Sequence, residues 1–248
     1  MIRLLFFLLV LVILPGFAFC GKDDSLAVPY HRNVISLNPT PALLFGNIKN
    51  LTLHYERLVR NNQSIVVQAG LLELEPFMGD SIGGFFDLRR VSNFGLNLAF
   101  DYRFYMLKRN KFPAPDGFYI GPYASYYGFK FKDEFSYYSN DTLRDSGYLN
   151  GAYNFINVGF EIGYQLILWK RLSIDLLIFG PSLTYAFSKW SVSDNLTDEE
   201  KDDLANEVKE KFNEKYPVLV PFIDPSTEKE YATFRLLLRY SISIGFHF

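Results

Sequence analysis

Residues 240 to 248, YSISIGFHF, alternate without a slip. Tyr240, Ile242, Ile244, Phe246 and Phe248 are apolar, while Ser241, Ser243, Gly245 and His247 stand between them. A period of two is that of a strand with one greasy and one polar face. The same pattern governs Phe94 to Tyr105: Phe94, Leu96, Leu98, Phe100, Tyr102 and Phe104 share one face, with Asn97, Asp101 and Arg103 on the other. A chain built from such segments folds as a sheet and has to hide a wide apolar face.

Eight segments read as strands. The first runs from Asn33 to Phe45 and turns through GNIKN into Leu51 to Val59. The third is Ser64 to Leu72, after the turn RNNQ, and the fourth is Phe94 to Tyr105. The fifth, Gly117 to about Lys132, carries aromatic residues on both parities and Pro122 inside it, so its facing stays open. The sixth is Asn154 to Leu168. The seventh, Leu172 to Ser188, switches parity near Gly180 and Pro181, as a β-bulge would require. Ala232 to Phe248 is the eighth.

Several of these exceed the ~9–11 residues with which a tilted strand crosses a bilayer. The second, fourth and sixth links are RNNQ, MLKRNKFPAPDG and WKR, whereas 73–93, 133–153 and 189–231 are long and polar. Short turns at one end and long loops at the other are the arrangement of a transmembrane barrel with both termini in the periplasm. GNIKN is the exception.

Arg3, the apolar run Leu4 to Leu14 and the breakers Pro15 and Gly16 make a secretory signal peptide, with cleavage after Ala18 or Cys20. The organisation expected is a signal peptide at 1–20, a periplasmic tail at 21–32 and a barrel from 33 to 248. Cys20 is the sole cysteine, which excludes a disulfide, and Phe19 before it is bulky for a lipidation site. Net charge is −2, against a nucleic-acid partner. Aromatic residues make up 18% of the chain, with 25 Phe and 17 Tyr. With no later window long and apolar enough for a spanning helix, those rings lie in a soluble core or face lipid as strands.

A soluble lipocalin-like barrel also alternates, so the polar face has to arbitrate. It carries both signs of charge, including Glu56, Asp101, Arg103, Glu161, Asp175, Arg235 and Arg239. Eight strands enclose an interior that side chains just fill. Charges inside and rings outside is the economical arrangement, and buried charges need partners. Arg103, Arg235 and Arg239 are therefore expected to contact Glu56, Asp101, Glu161 or Asp175 in a structural network that plugs the lumen. A narrow channel for small solutes would need those charges to line a water path instead.

A greasy strand ending on a terminal Phe resembles the signal by which outer-membrane barrels are recognised for insertion, here Tyr240, Ile242, Ile244, Phe246 and Phe248. The chain as a whole resembles the small eight-stranded barrels of the OmpA and OmpX type. Its opening, NVISLNPTPALLFGNIKNLTLHYER from Asn33 to Arg57, is similar to the first hairpin of an uncharacterised outer-membrane family. The resemblance implies an all-β, up-and-down transmembrane barrel in the outer membrane of a Gram-negative cell. It implies outer-membrane lipid and the barrel-assembly machinery as partners; with the sequence stopping at Phe248, no peptidoglycan-binding domain is expected after the barrel. An extracellular protein or glycan remains open as a further partner.

The last long loop holds a helix over 197–215. Thr197 and Glu200 form a capping box, Leu204, Val208 and Phe212 an apolar stripe, and Lys209, Lys211 and Lys215 a basic end. The stripe either caps the barrel mouth or, with YPVLVPF behind it, meets a partner. The acidic run Asp198, Glu199, Glu200, Asp202 and Asp203 lacks the glycine spacing of a calcium loop, and no metal is expected. Of the histidines, His31 lies in the tail, His247 at a rim, and His54 beside Glu56 on the lumen face as a polar pair. No nucleophile elbow, metal-ligand cluster or phosphate loop appears, so no catalytic residue and no cofactor is expected.

Overall fold

The computed structural model describes residues 31–74, 86–106, 110, 112–139, 142–193, 197–215 and 231–248. The signal segment, most of the tail, the glycine-rich part of 73–93 and YPVLVPF lie outside the described residues. Eight strands close into one antiparallel barrel in chain order. They are β1 (Asn33–Asn38), β2 (Thr52–Arg60), β3 (Gln63–Leu72), β4 (Phe86–Tyr105), β5 (Gly117–Ser139), β6 (Thr142–Leu168), β7 (Leu172–Ser193) and β8 (Tyr231–His247). Two helices, α1 (Thr40–Phe45) and α2 (Asp198–Lys215), stand at the same end, where the longer connections lie. Asn33 and Phe248 exchange both backbone hydrogen bonds (3.2 and 2.9 Å), closing the ring.

β1 is shorter than the sequence pattern predicts. Pro39 and Pro41 can donate nothing to a ladder, so the strand stops at Asn38. The Thr40 amide donates instead to Asn38 Oδ1 (2.9 Å), and α1 ends at Gly46 in the left-handed region, φ 72°. β4 to β7 are longer than predicted. Nearly all of 133–153, read from its polarity as a loop, continues β5 and β6 as a ladder up to Ser139↔Thr142. The wall is thus tall across β4–β7 and low across β1–β3.

The fifth strand, ambiguous in sequence, resolves to odd residues inward: Tyr119, Tyr123, Phe129, Phe131 and Phe135 are all buried. On β6 the partners of several of them are glycines: Tyr119↔Gly163, Tyr123↔Gly159, Phe131↔Gly151 and Phe135↔Gly147. At Gly151 and Gly163 the facing β5 ring takes the space of the missing side chain, which helps five aromatic residues of one strand fit inside a narrow barrel. A Cβ at Gly151 would collide with the Phe131 ring, and one at Gly163 with Tyr119.

The parity switch predicted in β7 is present. Ser173, Asp175 and Leu177 face inward, and Gly180, Ser182 and Thr184 continue that face. The register against β8 shifts between Leu177 and Gly180, and against β6 between Ile162 and Gly163. One extra residue keeps both halves of the strand aligned with the core.

Overpacking should follow from filling the glycine positions. Gly151→Val should destabilise the folded barrel by about 1–3 kcal/mol, because the new side chain collides with the buried Phe131 ring. The measurement is the urea-unfolding midpoint in detergent micelles; an unchanged midpoint would contradict the packing described.

Candidate functional site

The barrel interior has three levels. At the short-turn end, Leu58, Tyr105, Ala114 and Tyr119 pack together. At the far end Phe129, Phe131, Phe135, Tyr153, Phe155 and Trp190 form an aromatic core that Leu204 and Val208 of α2 join from above. The apolar stripe of α2 therefore caps the mouth; the Phe212 side chain lies outside the described residues. Between these levels sits a cluster of charges.

Arg103 is its centre. Its Nη2 lies 2.9 Å from Asp175, Nε donates to Glu161 at 3.1 Å, and Nη1 is 3.6 Å from Glu56. Arg239 reaches Asp101 (2.9 Å) and the other oxygen of Glu161 (3.4 Å), so Glu161 joins the two halves. Remaining carboxylate lone pairs are met by neutral donors. Ser64 and Tyr105 donate to Glu56 at 2.6 and 2.7 Å, Tyr119 donates to Asp175 at 2.8 Å, and Gln68 donates to Asp101. The guanidinium of Arg103 lies 4.2 Å from the Tyr119 ring centre, and that of Arg239 lies 4.7 Å from Tyr123. Two β5 rings whose register partners on β6 are glycines thus serve as platforms for cations, an arrangement favoured where water is excluded.

Of the residues singled out in the sequence, Glu56, Asp101, Arg103, Glu161, Asp175 and Arg239 come together. Arg235 does not. It shares a parity with Arg239 but lies four residues nearer the far rim, paired with Thr184. There β8 has lost β1 as a neighbour, and the Arg235 side chain is exposed. His54 and Glu56 share the interior face without bonding each other; His54 Nδ1 lies 3.4 Å from Ser243 Oγ. Tyr240, Ile244, Phe246 and Phe248 point outward and are about half exposed, while Ile242, on the same face, is partly covered.

A second buried ion pair escaped the sequence reading. Arg90 and Asp133, facing partners on β4 and β5, bond through both carboxylate oxygens, and Arg90 lies 4.9 Å from the Phe131 ring centre. The register could have revealed it, had 86–93 and 133–139 been read as strands. Among the described residues no group of three or more His, Cys, Asp and Glu side chains could hold a metal ion.

Comparison with known proteins adds little. No family model matches the chain, and no curated protein matches it. Among solved structures it is similar to the crystal structure of a major outer membrane protein from Thermus thermophilus, with 11% identity over 88% of this chain and 98% of that one and a TM-score of 0.34. The barrel architecture stands on its own strand register.

Two outcomes are expected here. Arg103→Met should destabilise the barrel by about 3–5 kcal/mol, because three carboxylates lose a buried counter-charge. Replacing the partners as well, as in Arg103→Met with Glu56→Gln and Asp175→Asn, should recover most of it; urea titration in micelles reads both. The second concerns Asp116, in the turn between β4 and β5, whose Oδ2 accepts the Ile167 amide (3.2 Å). Burial pushes its carboxyl from the usual 3.8 up to about 6. The folded state then holds the proton more tightly than the unfolded chain, so this group weakens the fold as pH rises from about 4 to 6. Asp116→Asn should remove that part of the slope, seen as a parent-minus-variant difference in unfolding midpoint that falls as pH rises across the window.

Proposed function

We propose that this chain is a non-catalytic, integral outer-membrane barrel that acts as a structural or interaction protein through its helix-bearing rim. The observation that carries the reading is the outer surface. Leu53, Val67, Leu98, Phe100, Val158 and Phe160 are exposed on strands whose inward neighbours include buried Asp101, Arg103 and Glu161. Soluble monomers rarely expose apolar patches beyond a few hundred Å². A band running round a whole barrel suits hydrocarbon.

The band also has edges. On β5 the outward residues change from Phe118, Ile120 and Ala124 to Lys130, Lys132 and Glu134, so the wall leaves the apolar layer well below Ser139. At the opposite end Trp169 is 84% exposed in the β6–β7 turn, with φ 50°, and Lys170 follows at φ 65°. A non-glycine pair at positive φ fits the type I′ hairpin turn, and an exposed Trp there suits a membrane interface. In this reading the short-turn end with both strand termini is periplasmic, the tall end extracellular, and the last strand is the recognition element for the assembly machinery.

The filled interior supports a structural lumen over a channel, since ion pairs and aromatic rings occupy the axis. A lipocalin-like carrier would need the two faces reversed, so the alternative left is a soluble barrel with this same facing, its apolar residues outward. Val158→Arg distinguishes that alternative from the membrane reading. At an outward position near the middle of the apolar band it should cost about 2–4 kcal/mol in lipid vesicles. On a soluble carrier an exposed Arg would be neutral. The direct test is migration of the detergent-extracted protein on a gel, where an unboiled band faster than the boiled one is expected. A protein that needs no detergent and shows no shift would overturn the membrane reading.

A further inference from the structure

The outward face of β4 to β7 changes character row by row toward the helix-bearing end. Leu98, Tyr126, Ile156 and Tyr185 stand in register across the four strands and belong to the apolar band. In the next row Gly128 pairs with Asn154. In the row after that, Lys130 pairs with Ala152 and Ala152 with Lys189. Lys132 lies one row higher again, facing Asn150.

Lys130 and Lys189 therefore flank one small residue, two strand spacings or about 10 Å apart. Both are exposed. Lys132 is half-buried, its ammonium 3.8 Å from the Tyr148 ring centre. Between the two exposed lysines the wall is low, since its residues are Gly128, Asn154 and Ala152. The Tyr126 hydroxyl overlies Gly128, where a Cβ would come within 2.6 Å of it, and it donates to Asn154 Oδ1 at 2.6 Å. A ring rooted in the apolar band thus ends in a polar tip one row below the lysines, as an interfacial tyrosine does.

The charge on this face is concentrated. The outward neighbours of Lys130 are Phe94 and Ala152 across the ladders and Gly128 and Lys132 along the strand, none of them a carboxylate. Glu134, the next outward residue of β5, stands two rows above Lys130 and faces Arg89. Lys49, in the connection between β1 and β2, has Glu73 within 3.7 Å instead. Lysines on a wet surface would be an ordinary solvated face. Here the rows directly below them are apolar, so an occupant has to be greasy below and anionic at the height of Lys130 and Lys189.

We propose that the β5–β7 face binds a lipid of the outer leaflet through a phosphomonoester headgroup held between Lys130 and Lys189, with Lys132 above it. This rests on the membrane reading. Two ammonium groups match the nearly double negative charge of a phosphomonoester, and their six N–H donors match its oxygens. The acyl chains lie along Tyr126, Ile156 and Tyr185.

The experiment uses the full-length protein in an uncharged detergent, after its gel shift has been verified, so that failure of the membrane reading shows before any lipid is added. Dioctanoyl phosphatidic acid is the probe, and native mass spectrometry counts the copies retained. One saturable copy is expected, with dioctanoyl phosphatidylcholine held much more weakly. Lys130→Gln with Lys189→Gln should raise the half-saturating concentration about thirtyfold, two charges at about 1 kcal/mol each. Lys130→Arg with Lys189→Arg should keep the parent's affinity. Arg57→Gln with Arg60→Gln, exposed at the short-turn end of β2, removes the same net charge and should change nothing. Equal losses in the two glutamine pairs, or no loss in the first, would overturn the site. Equal retention of phosphatidylcholine would overturn the phosphomonoester assignment. Inorganic phosphate displacing the lipid at matched concentration would overturn the lipid as occupant, because the apolar rows would then contribute nothing.

Discussion

An eight-stranded barrel has so little room inside that the packing of two adjacent strands decides what the rest can contain. Here β5 sends large rings inward and β6 answers with glycines at 147, 151, 159 and 163. Those rings then carry the guanidiniums of Arg103, Arg239 and Arg90. Charge, in turn, is tolerable in the interior because each of these cations meets carboxylates within bonding distance, while Glu56, Asp101 and Asp175 also find neutral donors and Glu161 is shared by two arginines. Steric fit comes first in this hierarchy and electrostatics is built upon it.

The wall is uneven for a local reason. Two prolines near the end of β1 cannot extend a ladder, and the chain turns into a short helix instead. Opposite, β4 to β7 continue far above that level. The tall side meets α2 over the aromatic core, while the low side is completed by Phe45, Leu44 and one threonine hydroxyl.

Much of this was legible in the sequence where one face was consistently apolar. β4 between Phe94 and Tyr105, β6 beyond Asn154 and β8 alternate so cleanly that their facing follows directly, and six of the seven charges assigned to the interior meet there. Legibility ended where the outward face turned polar. Above Lys130 and Asn154 the strands emerge from the apolar band, so alternation between two environments gave way to glycines, rings and charges with no greasy stripe. β5 was unreadable because aromatic residues serve both faces, and the answer lay in its neighbour's glycines. Arg235 shows the limit of parity: it gives a direction, whereas the height along the barrel decides the surroundings.

Asn33 and Phe248 hold each other across a sequence separation of 215 residues, whereas every other neighbouring pair of strands is joined by the next stretch of chain. Loop-closure entropy therefore ranks the ladders in time. The hairpins of β4 to β7 can form from local contacts as soon as their residues are available, and the arginine cluster is incomplete until β2 and β8 bring Glu56 and Arg239 to it. Sealing the ring at β1 and β8 is the last step. Until then the half-built sheet has two raw edges, and the short β1 is the small, late-fitting piece that completes the cylinder.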